Sequence, residues 1–501
     1  MQGLLRNLNR EVRNCVRISV TARARTVAPA REKSSRMLYE FFLKHYILLP
    51  MLPESKSESK AFYKSLFHVV GPIAVQNLIA AAVNSADVIM LGYVGQTPIA
   101  AASLAGNVMF IMIMIVTGLS SGLVMLAAQY WGKQDFESIR TLHGIAMRIS
   151  CGFGLVFSLA TFFAPGSVMR IFTDDIPLIE SGSLYLKTIS LSYLCFSISQ
   201  IFQAGLKSIE RVKIVTVMTA SALSLNILLN AVFIFGLLGA PRLGIAGVGI
   251  ATTISRVLEL VFCTIYAYLQ KDVKLRFSNL LRFRKILSAD FFRYSLPALG
   301  NEFVWGTAFS MYSVILGHLG EDIVAANSVV NVLRNLCTVL CFGMAYGGAV
   351  VLGKTMGAGN MPLAERNARR LIKATTLAGI LAGALLVLLK PALPLIAELS
   401  DTASRYRNIL LYINSFSVMA ATINTVLICG VFRAGGDSKF GFIMDTVFMW
   451  GISLPLGFVA AFVLKLPPLW VYFILYLDEL EKMPVIFIHY FRKGWLKNIT
   501  R

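Results

Sequence analysis

The chain has 501 residues, 56% of them hydrophobic and 15% charged, with a formal net charge of +21. A soluble domain of that composition has nowhere to bury its apolar surface, so the chain reads as a polytopic membrane protein. The excess of Lys and Arg follows the connections between apolar segments, which excludes a nucleic-acid partner as its cause.

Residues 1–60 stand apart from the rest. Arg6, Arg10, Arg13, Arg17, Arg23 and Arg25 face only Glu11 among acids before Arg31. An amphipathic targeting sequence is one reading. The preferred one is a basic, disordered leader, or residues upstream of a start at Met37 or Met51, since Met51 precedes an ordinary short polar stretch. The apolar run 41–52 is too short to span a bilayer.

Twelve segments then reach the roughly 20 apolar residues that a membrane crossing requires. The first six are 62–92, 98–131, 142–164, 178–206, 214–238 and 244–269. The second six are 291–319, 323–356, 371–389, 409–432, 440–464 and 469–491. The expected fold is all-α, with twelve transmembrane helices in two pseudo-symmetric six-helix lobes, 61–270 and 291–491. A polar connection, 271–290, joins the lobes, and a basic tail, 492–501, follows them.

Basic residues fill every second connection. They include Lys133 and Arg140; Lys207, Arg211 and Lys213; Lys274, Arg276, Arg282, Arg284 and Lys285; Arg366, Arg369, Arg370 and Lys373; and Arg433 and Lys439. Connections 95–97 and 321–322 carry none, and 240–243 carries only Arg242. That alternation places both termini in the cytoplasm.

The two halves repeat. A shift of 225 carries Pro72 to Pro297, Gly95 to Gly320, Ser103 to Ser328, Gly118 to Gly343, Gly122 to Gly347 and Gly132 to Gly357. A shift of 226 carries Lys207 to Arg433 and Lys213 to Lys439. Each half has an even number of spans, so the repeat is parallel and substrate is expected between the lobes. The charges do not repeat: Asp87 falls on Tyr312, and Glu302 falls on Asn77.

Asp87 lies about 7–8 Å of helix rise from the outer end of its span. An ionised carboxylate there is costly unless it is paired, hydrated or protonated, and binding H+ or Na+ neutralises it. Asn226 and Asn230, four residues apart, share a face of the fifth helix. Seven cysteines, mostly within spans, and five scattered histidines show no metal or disulfide spacing, so no bound cofactor is expected. The absence of a Gly-Lys-Ser/Thr phosphate loop gives no support to an ATP-driven pump or an enzyme.

The run Asn84-Ser85-Ala86-Asp87-Val88-Ile89-Met90-Leu91-Gly92, followed by Ile99-Ala100-Ala101, resembles the multidrug and toxic compound extrusion (MATE) transporters, of bacterial type. So do Gly244 to Thr252, and Arg433-Ala434-Gly435-Gly436-Asp437-Ser438-Lys439 with Trp450-Gly451-Ile452-Ser453-Leu454-Pro455. The stretch from Leu477-Asp478-Glu479 to Trp495-Leu496-Lys497 resembles members from Gram-positive bacteria. The resemblance runs from about residue 61 to the last residue, in order and spacing.

It implies that Asp87 couples an ion. The matching helix 5 face in members with an N-lobe site carries Asn and Asp, whereas here it carries Asn226 and Asn230. The implied site therefore has one formal charge, with Asn226, Asn230 and Thr252 around Asp87. Glu302 matches an acidic position in helix 7. Helix 10 offers Asn414 and Asn424 where some members have Asp, which argues against a full C-lobe Na+ cage. Asp445 is either a third ligand or a partner for Arg334. Tyr193, Phe196, Trp305 and Tyr312 are candidate aromatic walls for a cationic substrate, with Asp445 beside them. Arg256 with Glu259, and Asp478 and Glu479 with Lys482, are read as locally neutralised structural groups.

The expected activity is H+- or Na+-coupled export of small, mostly cationic organic compounds across the cell membrane by a lipid-embedded monomer. A flippase for a lipid-linked precursor is the alternative, but it needs basic groups for a pyrophosphate, and Arg334 is the one deep basic residue evident in the central spans. A non-transporting receptor or assembly factor is the third reading.

Overall fold

The computed structural model describes residues 56–270, 272–395 and 399–501; the expected leader lies outside them up to residue 55. Among the described residues there are helices and no strands, as lipid demands when each segment must satisfy its own backbone hydrogen bonds. The first lobe holds α1 (Lys56–Gly92), α2 (Gln96–Lys133), α3 (Phe136–Phe163), α4 (Ile176–Ser208), α5 (Val212–Phe235) and α6 (Gly244–Leu269). The second holds α7 (Lys285–Gly317), α8 (Glu321–Gly357), α9 (Met361–Leu388), α10 (Asp401–Phe432) and α11 (Ser438–Val463). Three short pieces, Pro468–Leu475, Asp478–Glu481 and Met483–Phe491, make up α12.

Ten of these twelve are long and apolar enough to cross a membrane by length and composition, among the described residues. The exceptions are α7, which carries Asp290, Arg293 and Glu302, and α12, which breaks around Asp478–Glu481. Both exceptions carry charge inside the bundle.

Several helices begin earlier than the apolar runs suggest: α3 at Phe136, α7 at Lys285, α9 at Met361 and α10 at Asp401. Their polar first turns lie outside the apolar stretch, yet capping keeps three of them helical. Asp135 accepts from the Ser138 amide at 3.0 Å, and Asn360 from the Leu363 amide at 3.1 Å. Asp175 accepts from the Leu178 amide at 3.5 Å, and Ser400 from the Ala403 amide at 3.1 Å. The same shift of 225 relates Asp135 to Asn360 and Asp175 to Ser400. The repeat is thus kept by function of the cap rather than by residue identity. Likewise Gln134 (φ 62°) follows α2 and Gly359 (φ 80°) follows α8, both in the left-handed region that closes a helix C-terminus.

The repeated glycines are where the lobes meet. A Cβ on Gly132 would stand 2.0 Å from the Lys354 carbonyl oxygen, and one on Gly357 1.9 Å from that of Gln129. The shift maps Gly132 to Gly357 and Gln129 to Lys354, so this α2–α8 contact is self-complementary about the pseudo-twofold axis. Gly118 and Gly122 of α2 would meet the Cα atoms of Leu299 and Ser295 in α7 at 2.5 and 2.8 Å. A Cβ on their repeats, Gly343 and Gly347 of α8, would stand 3.3 and 2.9 Å from the Val70 side chain of α1. Any side chain at these positions holds the backbones apart.

A strap crosses the same end of the molecule. After α12, Trp495 is fully buried, its ring stacked on Tyr490. Gln129 in α2 donates to the carbonyls of Ala434 (2.7 Å) and Lys497 (3.1 Å) and accepts from the Ile499 amide (2.8 Å). Arg501 pairs with Asp290 at the start of α7 at 2.9 Å, and Lys133 donates to the Arg501 carbonyl oxygen at 2.6 Å. The tail thereby ties α2 of one lobe to elements of the other.

Gly357→Leu is expected to disfavour this closed contact. Spin labels at the C-terminal ends of α2 and α8 would then report a longer distance in the variant. A distribution unchanged from wild type would remove the glycine contact as a determinant of the conformation.

Candidate ion and substrate site

In the N-lobe, four of the sequence-predicted residues come together. Asn230 is fully buried on α5, and its Nδ2 donates to Asp87 Oδ1 of α1 at 2.6 Å and to Asn226 Oδ1 at 3.2 Å. Asn226, one turn earlier on the same face, donates to Thr252 Oγ1 of α6 at 3.3 Å. The chain of contacts joins α1, α5 and α6 around one carboxylate. Asp87 is only partly buried, while the two amides beside it are buried. Asn230 Oδ1 has no hydrogen-bond donor. The group holds one carboxylate, which can take up a proton, beside neutral amides and a hydroxyl.

A second polar group in this lobe builds on the Arg256–Glu259 pair that the sequence reading took as locally neutralised. Glu259 of α6 is fully buried and accepts from Arg256 (2.8 Å), Gln203 of α4 (2.9 Å) and Thr219 of α5 (3.3 Å). Gln76 of α1 extends the group through Thr219 at 3.2 Å. Arg256 also lies 5.1 Å above the Phe196 ring, so this candidate wall is covered by a cation from the protein itself. Arg256 and Glu259 do neutralise each other locally, as their spacing suggests. Their carboxylate is nevertheless a node joining four helices, which i,i+3 spacing alone cannot reveal.

Glu302 does not join the Asp87 group. It is held by Arg433 at 3.0 Å. Arg433, expected in a basic connection, instead sits at the end of α10 at 3% exposure, where it also donates to Ser121 of α2 (3.1 Å) and Asn301 (2.7 Å). Asp445 of α11 accepts from Asn301 at 2.5 Å and from Lys482 at 3.1 Å. That gives it partners other than Arg334, whose guanidinium lies over the rings of Phe309 and Tyr476 instead. The reason is geometric: α12 breaks where Lys482 enters the lobe, bringing an ammonium nearer than α8 does. A lysine inside a predicted span was the available signal.

The aromatic candidates divide. Tyr193 is fully buried beside Phe157, and Tyr312 is 1% exposed against Phe309 and Tyr476. Neither presents surface to a cavity in this conformation, because each fills the interior of its own lobe. Trp305 is 37% exposed and packs against Phe309.

Comparison with known proteins agrees with this architecture. The MatE family pattern matches residues 72–232 and 297–459, once in each lobe. A Bacillus subtilis protein named uncharacterized transporter YisQ is 23% identical over 81% of this chain and 88% of its own length. A probable multidrug resistance protein NorM from Mesorhizobium japonicum is 24% identical over 78% of this chain and 85% of its own. A solved multidrug resistance MATE family transporter of the MOP superfamily, in an outward-facing conformation, superposes with a TM-score of 0.75 at 19% identity, covering 89% of this chain and 99% of that one. Matched by the family pattern in both lobes, the chain belongs to the MatE family and is a multi-pass MATE transporter.

Proposed function

We propose that the chain exports lipophilic, mostly cationic organic compounds in exchange for H+ or Na+, by alternating access of its two lobes as a monomer in the cell membrane, with both termini cytoplasmic. The observation that carries this reading is the single carboxylate of Asp87 on α1, set beside neutral polar groups from α5 and α6 and left partly exposed. A lipophilic cation approaching from the cytoplasm is attracted by that charge. An ion arriving from outside then neutralises it, the drug loses its counter-charge, and the ion-bound lobes rock back. The two ligands compete for one charge, so only their differential affinity for the two conformations drives exchange. The multidrug resistance name of the Mesorhizobium relative supports the substrate class.

Glu302 takes a lesser part in this scheme than the sequence suggested. Its charge is already met by Arg433, so it shapes the C-lobe rather than offering a free carboxylate. The ends of α2 and α8 with their basic last turns form the cytoplasmic side, closed in this conformation by the glycine contacts.

Two outcomes follow. Uptake of a fluorescent lipophilic cation into inside-out proteoliposomes, driven by an imposed H+ or Na+ gradient, is expected for wild type and lost in Asp87→Asn at unchanged helical content. Undiminished driven uptake by the variant would end the proposal. In the C-lobe, Arg433→Met leaves the part-buried Glu302 without its partner and is expected to cost about 1–3 kcal/mol. Glu302→Gln keeps a hydrogen-bond acceptor for Arg433 and is expected to cost less. Thermal melts in detergent decide the ranking, and equal losses would contradict it.

A further inference from the structure

Lys482 of α12 sits 3.1 Å from Asp445, 3.3 Å from Asp478 and 3.0 Å from Glu479. All four side chains are at least nine-tenths buried. One ammonium thus faces three carboxylates, two more negative charges than it can balance. The other charged or titratable groups around them are Glu302 and Arg433, already paired with each other, Cys429 of α10, Tyr312 of α7, Tyr476 of α12, and Arg334, which is stacked on aromatic rings. None of these supplies the missing positive charge to the trio. Two uncompensated carboxylates in a low-dielectric interior are far too costly to persist, whereas carboxylic acids there are not.

A second observation points the same way. Asn424 of α10, 1% exposed, donates from Nδ2 to Glu479 Oε2 at 2.9 Å and to the Glu479 carbonyl at 2.7 Å. Its Oδ1 has no hydrogen-bond donor, and Asp478 Oδ2 meets the Lys482 ammonium at 3.3 Å. An orphaned buried acceptor on the side chain that binds Glu479 is left for a donor that the ionised carboxylates cannot supply and a protonated carboxyl can. The backbone is also unusual here: π-helical turns Val426–Phe432 and Thr446–Ser453 begin just after Asn424 and Asp445. Such turns are concentrated at functional sites.

We propose that Asp445, Asp478 and Glu479, arranged around Lys482, form a proton-binding centre in the C-lobe, distinct from Asp87 in the N-lobe. The centre holds protons shared among its carboxyls and releases them when helix 12 or helix 11 moves and admits water or a cation. In export it acts as a second proton acceptor; this coupling role rests on the antiport reading above, while proton binding itself does not.

Infrared spectroscopy of reconstituted protein tests the binding directly through the carbonyl stretch of protonated carboxyls at neutral pH. The band is expected in wild type, retained in Asp87→Asn, and reduced in both Asp478→Asn and Glu479→Gln. A band of wild-type strength in both of the latter variants, or none in wild type, overturns the proposal. Thermal stability in detergent gives an independent sign. Asp478→Asn and Glu479→Gln put a neutral amide where the protonated carboxyl stands and should melt no lower than wild type. Lys482→Met should melt lower and regain stability when combined with Glu479→Gln. A Lys482→Met variant as stable as wild type would contradict the charge imbalance. The coupling role is read from the pH dependence of gradient-driven lipophilic-cation uptake, expected to shift in Glu479→Gln; an unshifted profile would reject it. Absence of any driven uptake in wild type counts against antiport alone, because the infrared result does not depend on transport.

Discussion

A carboxylate inside a membrane helix has to be paired, hydrated or neutralised, and the two lobes meet this requirement differently for Asp87, Glu302 and Asp445. In the N-lobe Asp87 receives only neutral donors, Asn230 directly and Asn226 and Thr252 behind it. In the C-lobe Glu302 receives Arg433, and Asp445 receives Lys482. Neutral partners leave the charge of Asp87 unmatched by a hydrogen-bonded cation from the protein, which is the basis of the proposed ion exchange there, whereas an arginine pairs with Glu302. The asymmetry is carried on a symmetric frame, so the two lobes differ chemically while sharing one architecture.

That frame rests on backbone proximity. The pairs Gly132–Lys354 and Gly357–Gln129 are the same contact seen from either side of the pseudo-twofold axis, as are Gly122–Ser295 and Gly347–Val70. Small residues are needed because attraction between helices in lipid comes from close packing rather than from exclusion of water. Across the same end lies the Trp495–Arg501 strap, bonded to Gln129, Lys133 and Asp290. An opening of this end breaks the glycine contacts and the strap together, so the closed state is held by two independent sets of contacts.

Much of this was legible in the letters. Recurrence of glycines and a proline at one shift gave the duplicated bundle, and i,i+4 spacing put Asn226 and Asn230 on the face that meets Asp87. Residues whose meaning depends on tertiary reach were not. Arg433 reads as a connection charge until α10 carries it into the lobe, and Lys482 reads as a local partner of Glu479 until the break in α12 brings it to Asp445. Glu259 reads as one half of an i,i+3 pair until Gln203 and Thr219 converge on it. Tyr193 and Tyr312 have the aromatic character of cavity walls but fill the interiors of their lobes. The helix caps repeat in position but not in residue type, so identity alone passes over them.

The central claim is that ion and organic cation compete for the charge of Asp87. The most direct measurement is the affinity of a fluorescent lipophilic cation for detergent-purified wild type and Asp87→Asn as proton or Na+ concentration is raised. The account predicts that wild-type affinity falls as the coupling ion rises, and that the variant binds weakly and is insensitive to either ion. Ion-sensitive binding retained by Asp87→Asn would contradict it.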